Sequence, residues 1–170
     1  MWSKWLQVGN FCAIMNLQIK EGGKISVFFG TYFHQMDAKN RIRIPAKFGK
    51  ELSSKYIVGK SSIDGALAIY TLEGFQKVSK KKHSPFNAKA EMAYTLFFGS
   101  YFEVAEDGQG RLQITDAIRK IVNLEKDLVS IGADDHINLM SRSRFERMQE
   151  ELSFEDALAI LDEKSSKSDS

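Results

Sequence analysis

One short pattern occurs twice in this chain, and a duplicated chain must first of all build two related halves. Asp37-Ala38-Lys39-Asn40-Arg41-Ile42-Arg43-Ile44-Pro45 returns as Asp107-Gly108-Gln109-Gly110-Arg111-Leu112-Gln113-Ile114-Thr115. Asp37 and Asp107 are 70 positions apart, and so are Arg41 and Arg111. A lone Asp-x-x-x-Arg spacing arises by chance in any charged chain, so the flanks carry the argument. Phe28-Phe29-Gly30-Thr31-Tyr32-Phe33 is echoed by Phe97-Phe98-Gly99-Ser100-Tyr101-Phe102, with one extra residue before the second Asp. Downstream, Ile69 to Phe75 is echoed by Leu139 to Phe145.

Local patterning predicts the same elements in each half. Phe28 to Gln35 and Phe98 to Val104 are rich in aromatic and β-branched residues and read as strands. A polar turn follows each, then a strictly alternating strand at Arg41–Ile44 and Arg111–Ile114. Pro45 suits the first turn of a short helix over 46–52, and Thr115 caps its counterpart. Tyr56–Val58, Ala66–Tyr70, Leu128–Ile131 and Ile137–Met140 read as strands. Thr71 and Ser141 are N-caps for the longer helices that follow, the first running to about Lys82. His83-Ser84-Pro85 breaks the chain between the halves, Asn87 caps a linking helix, and Ser153-x-x-Asp156 opens a final amphipathic helix over 154–162. The resulting division is 27–83 for the first half, 84–97 for the link, 98–163 for the second half and 164–170 for a polar, disordered tail. A half of four short strands and two helices is too small to bury its own apolar faces. Two halves closing on each other as a pseudo-dimer solve that problem.

Residues 1–26 have no counterpart in the repeat, and hold both tryptophans and the only cysteine, Cys12. Their short apolar core lacks a signal-peptidase site. Two readings stand: a floppy extension, or a leader that is not normally made. For the second, Lys20-Glu21-Gly22-Gly23 is encodable by a purine run of ribosome-binding type just before Val27, which a GTG codon would start as Met. One cysteine supports neither a disulfide framework nor a Cys-based zinc site. No apolar run approaches the length of a membrane span. A net charge of +2 is too small to imply a polyanion partner by itself, so any such case rests on where the charges sit.

The charges sit at the repeated motif. An Asp four residues before an Arg across a tight turn can accept from turn N–H groups and from the guanidinium, fixing both. A fixed Arg presents a two-donor fork to a phosphate or to the O6/N7 edge of guanine. The competing reading is a structural ion pair that merely holds a hairpin. Lys39, Arg41, Arg43 and Lys47 place four cations in nine residues, a patch that attracts a phosphate backbone or protects a solvated strand edge. Lys77, Lys80, Lys81, Lys82 and His83 suit a solvated helix C-terminus, with an auxiliary DNA contact as the competing reading. His34, His83 and His136 have no ligand spacing, Asp134-Asp135 falls in a turn, and no nucleophile elbow or phosphate loop is visible, so neither a metal site nor an enzyme is expected. The phenylalanines beside the glycines fit core or subunit-interface packing better than base-stacking platforms.

With Asp37-x-x-x-Arg41-x-x-Ile44-Pro45-Ala46-Lys47-Phe48 beside its second copy, the chain resembles the MraZ family from about Val27 to the final helix. The resemblance implies an α+β, β-rich fold of duplicated AbrB-like halves in a double-split, swapped-hairpin β-barrel with peripheral helices. It implies a transcription factor on the nucleoid, a ring-shaped homo-oligomer. The implied DNA partner is a set of promoter direct repeats upstream of its own division and cell-wall gene cluster. Arg41 and Arg111 would read or clamp DNA, Asp37 and Asp107 would hold them, and Lys39 and Arg43 would supply phosphate contacts, with no cofactor. Two departures stand out. Asn40 replaces the family's usual Gly before the first Arg, and Asn is the best non-Gly tenant of a left-handed turn. Gln113 and Thr115 stand where the first copy has Arg43 and Pro45, so the second loop is expected to hold DNA less strongly. An antitoxin-like protein-interaction module, using Phe154, Leu158 and Leu161 of the last helix, is the alternative.

Overall fold

In a computed structural model, residues 27–49, 55–79 and 87–166 are described. Alternating and β-branched sequence gives eight strands: β1 Thr31–Gln35, β2 Arg41–Ile42, β3 Lys55–Lys60, β4 Ala66–Thr71, β5 Phe102–Ala105, β6 Leu112–Gln113, β7 Asp127–Ala133 and β8 His136–Ser141. The helices are α1 Ala46–Gly49, α2 Leu72–Ser79, α3 Ala88–Phe98, α4 Asp116–Ile121, α5 Arg142–Glu151 and α6 Phe154–Ser166. The result is a mixed α+β fold dominated by one large antiparallel sheet.

That sheet is shared between the halves. Its strand order is β1-β7-β8-β4-β3-β5, with every neighbouring pair antiparallel. The first strand of each half therefore leaves its own half and edges the hairpin of the other: β1 pairs with β7, and β5 with β3. At the centre, β4 pairs with β8 so that Ala68 faces Asn138, its equivalent 70 residues on. A separate two-stranded ribbon joins β2 to β6, and there Ile42 faces its equivalent, Leu112. Equivalent residues meet only where a two-fold axis passes, so the two pairings mark a local pseudo-two-fold.

The core obeys the same symmetry. Ile42 and Leu112, Ile44 and Ile114, Val58 and Leu128, and Ile69 and Leu139 are all buried in one cluster. Phe48 and Ile118, from α1 and α4, cap it. Burying such side chains contributes roughly 1.5–3 kcal/mol each, and half of every pair comes from the other copy. Neither half has that core alone.

Several local expectations are corrected. The first predicted strand starts at Thr31, because Gly30 adopts a left-handed φ of 95° and Phe28 is held apart by its backbone bridge to Asp134. The second, expected from Phe98, starts at Phe102. The linking helix runs on through Phe98, and Gly99 stays right-handed with its N–H donating to Thr95 O. The same Phe-Phe-Gly letters are thus extended in one copy and helical in the other. In the first, the end of β7 supplies backbone partners (Phe28 N to Asp134 O, 2.7 Å; Gly132 N to Gly30 O, 2.9 Å). In the second, an Ala-rich segment capped by Asn87 Oδ1 on Ala90 N carries the helix forward. Thr71 caps α2 through Gly74 N and Thr115 caps α4 through Ile118 N, as expected. Ser141 makes no side-chain cap: its Oγ accepts from Glu125 N and donates to Asn123 O, tying β8 to the loop before β7. Ser153 Oγ accepts from Asp156 N, and α6 continues to Ser166, into what composition marked as tail. The leader, the end of the helix after Pro45, the Lys80–His83 run and the Pro85 hinge lie outside the described residues.

Candidate nucleic-acid interface

Each Asp-x-x-x-Arg loop is organised by its carboxylate, and the two oxygens divide the work. Asp37 Oδ1 accepts from Lys39 N (2.8 Å) and Arg41 N (2.9 Å), closing the turn. Asp37 Oδ2 accepts from Arg41 Nε and Nη2, both at 2.7 Å. In the second loop Asp107 Oδ1 accepts from Gln109 N (2.9 Å) and Arg111 N (3.0 Å), and Oδ2 from Arg111 Nε and Nη2 at 2.8 Å. The backbones match as well: Asp37 N donates to Arg41 O and Asp107 N to Arg111 O. The residue before each Arg is left-handed, Asn40 at φ 57° and Gly110 at φ 70°. Asn40 therefore does what a glycine does at that position, at the modest cost Asn bears there.

These bonds set the charge state. Arg41's side-chain hydrogen bonds, with its backbone N–H, hold the Asp37 carboxyl down at about 2. Arg111 does the same for Asp107, also at about 2. With each Asp engaged along the Nε–Nη2 edge, Nη1 is the guanidinium nitrogen that its own loop's carboxylate leaves free, and both arginine side chains stay partly exposed. A planar fork held this way needs no ordering to meet a phosphate or a guanine edge.

The β2–β6 ribbon brings the two loops side by side. Arg41 Nη1 lies 3.9 Å from Asp107 Oδ2. Arg43 Nη2 donates to Gln109 O (3.0 Å), and Gln113 Nε2 donates to Lys39 O (3.0 Å) and more weakly to Asn40 O. Ile114 N adds a backbone bond to Asn40 O. All six predicted site residues are thus in one place: Asp37, Lys39, Arg41 and Arg43 on one loop and its strand, Asp107 and Arg111 on the other. Arg43 has an intramolecular partner that its exposed alternation did not reveal. Its equivalent Gln113 does the same job without charge, so the substitution keeps the cross-loop bond and removes only the cation.

The remaining titratable candidates are accounted for locally. His34 Nε2 bonds Ser130 Oγ at 2.8 Å, and burial lowers its pKa. His136 Nδ1 bonds Asp135 Oδ1, and its ring stacks on Tyr70. Asp134, at a left-handed φ of 64°, turns the β7–β8 hairpin. Among the described residues no three His, Cys, Asp or Glu side chains gather as metal ligands, and no helix is long and apolar enough to cross a membrane. Of the repeated phenylalanines, Phe28 is in the core, while Phe29, Phe33, Phe97 and Phe102 are exposed. Sequence reasoning missed Arg119 and Lys126. Lys126 borders the first loop because β1 pairs with β7, a contact across 92 positions that no local pattern announces, and Arg119 reaches the same cleft from α4.

Comparison with known proteins agrees with the repeat. A family model described as "MraZ protein, putative antitoxin-like" matches residues 27–96 and again 97–164. The chain is 38% identical over 122 residues to the transcriptional regulator MraZ of Clostridium tetani, covering 71% of this chain and 85% of that protein. It is 35% identical to that of Moorella thermoacetica (75% and 90% covered) and 34% identical to that of a Thermoanaerobacter species (81% and 98%).

Proposed function

The chain belongs to the MraZ family, and on that basis we propose that it is a sequence-specific, double-stranded DNA-binding regulator of transcription. One observation carries the reading: two Asp-locked arginines, Arg41 and Arg111, sit on adjacent loops tied to each other. Arg41 and Arg111 contact DNA through the donors their own loops leave free. Asp37 and Asp107 hold them in shape, while Lys39 and the remaining N–H groups of Arg43 meet phosphates. The targets are direct repeats upstream of its own gene, at the head of a division and cell-wall cluster, which places the protein on the nucleoid. One protomer offers few contacts, so useful affinity comes from a ring of copies engaging several repeats at once. The barrel is of the double-split, swapped-hairpin kind, in keeping with the exchange of β1 and β5.

The test is fluorescence anisotropy on the DNA upstream of this gene and on a scrambled control, at two salt concentrations. Wild type is compared with Arg41→Ala/Arg111→Ala. Tight, salt-sensitive, sequence-selective binding that the double variant loses is expected. Equal weak binding to both DNAs by both proteins would sink the reading.

A second reading has its own observations: the antitoxin-like wording of the family description, and an α6 that exposes Phe154, Ile160 and Leu161. In it the last helix neutralises a protein partner, with Leu158, half-buried, at the edge of the contact. Removing 154–170 should then abolish partner capture while leaving DNA binding intact.

A further inference from the structure

The two loops are alike in themselves but not in what surrounds them. Beside the first loop lies an open cleft of about 380 Å³, bordered by Met36, Asp37 and Asn40 on one side and by Arg119 and Lys126 on the other. The backbone sets this juxtaposition. β1 and β7 pair from Thr31–Ile131 to Gln35–Asp127, and Met36 N then donates to Lys126 O at 2.9 Å. Lys126 is thereby held one residue from Asp37. Arg119 arrives from α4, where Thr115 caps the helix and Ile118 is buried, leaving its neighbour on the open flank. Lys120, exposed on the same last turn, lines the adjoining cleft together with Arg119.

Of the acids nearby, Asp37 is ion-paired with Arg41. Glu125 and Asp127 bond neutral donors and keep their charge, and Asp116 lines the adjoining cleft beside Arg119 and Lys120. Glu125, which also borders the cleft, accepts from Ser143 Oγ at 2.9 Å, and Asp127 accepts from Gln35 Nε2 at 2.6 Å. The equivalents in the other half are neutral. Seventy positions before Arg119 stands Gly49, and before Lys126 stands Tyr56. Tyr56 is buried, and its hydroxyl donates to Glu106, a carboxylate adjoining the second loop. Arg119 and Lys126 thus have neutral equivalents among the described residues, and the cation that opens β3 beside the second half's edge strand, Lys55, is ion-paired to Glu103.

Resting on the reading of the loops as a DNA surface, we infer that Arg119 and Lys126 form a one-sided phosphate clamp that extends the DNA footprint beyond the first loop. The partner is the sugar-phosphate backbone of the duplex, not its bases: two cations on the rim of an open cleft supply charge without a fixed hydrogen-bond pattern. The pseudo-symmetric protein then binds DNA with a polarity, its first loop in the larger share of backbone contacts.

The experiment compares wild type, Arg119→Ala/Lys126→Ala and Arg119→Lys/Lys126→Arg on the upstream DNA and its scrambled control across a salt series. The Ala pair should weaken binding to both DNAs alike and make the slope of log affinity against log salt shallower by about 2. The charge-conserving pair should keep the wild-type slope. Lys126→Gln, a single exposed change, is the fallback should the Ala pair fold poorly, with a slope change of about 1. If wild type binds with steep salt dependence and the Ala pair (or Lys126→Gln) shows the same slope, the clamp is wrong and the loop assignment stands. If wild type itself shows no salt-sensitive preference for the upstream DNA, the functional reading beneath it fails instead.

Discussion

Arg43 and Gln113 occupy equivalent positions 70 residues apart, and each donates to a carbonyl of the other half's loop: Arg43 to Gln109 and Gln113 to Lys39. Those two carbonyls are themselves equivalents. A long cation and a short amide thus perform one structural task, coupling two loops that local sequence describes as independent.

Arg43 therefore separates geometry from charge. Arg43→Gln should preserve the cross-loop bond and loop shape, removing one phosphate contact and lowering the salt slope by about 1. Arg43→Ala should also lose the bond, a further cost of about 1 kcal/mol or less at this exposed site. Urea midpoints alongside salt-dependent anisotropy distinguish them. Equal loss of stability in both variants would mean that the shorter amide, placed on the first loop's strand, cannot reach Gln109.

The loop carboxylates predict an acid limb. Their folded values of about 2 lie below the ordinary 3.8. A depressed carboxyl stabilises the fold above its unfolded pKa and loses that contribution as pH falls through the folded value. Stability should be flat with respect to these groups above about pH 5, then decline between about pH 4 and 2. Asp37→Asn/Asp107→Asn should flatten that limb in urea midpoints taken across the range. Carbon-13 NMR of the carboxyls reads the two titrations directly.

Left-handed backbone before each Arg makes a prediction about exchange between copies. Gly110→Asn should be tolerated, because Asn40 already occupies the equivalent φ. Gly110→Val should cost roughly 1–2 kcal/mol or more, since a β-branched side chain is poorly accommodated there. Thermal unfolding of the two variants decides it. Comparable losses would mean that the second loop is shaped by something other than this dihedral.

The shared core predicts symmetric damage. Ile42→Ala and Leu112→Ala, facing each other on the pseudo-two-fold, should each cost about 2–5 kcal/mol. Each should shift a single transition rather than create a second one, because both halves bury the same cluster. Far-UV and near-UV circular dichroism should melt together. A biphasic melt in either variant would show halves that fold separately.

Residues a few positions apart settle much of this protein without help from the rest of the chain. The Asp-x-x-x-Arg loops, the Asn40 turn and the caps at Thr71, Asn87, Thr115 and Ser153 were legible because donor and acceptor lie within four positions. The duplication was legible too, since it is a property of letters. Long-range packing settled the remainder: which hairpin each first strand joins, why one Phe-Phe-Gly is extended and the other helical, and that Ser141 ties a loop instead of capping α5. It also brought Arg43 to Gln109 and Lys126 to Met36. In two halves of related sequence, a strand's N–H and C=O groups can be satisfied by its own hairpin or by its twin's. No local preference separates those pairings. The choice falls to burial, and the exchanged arrangement closes both sets of apolar faces around one core.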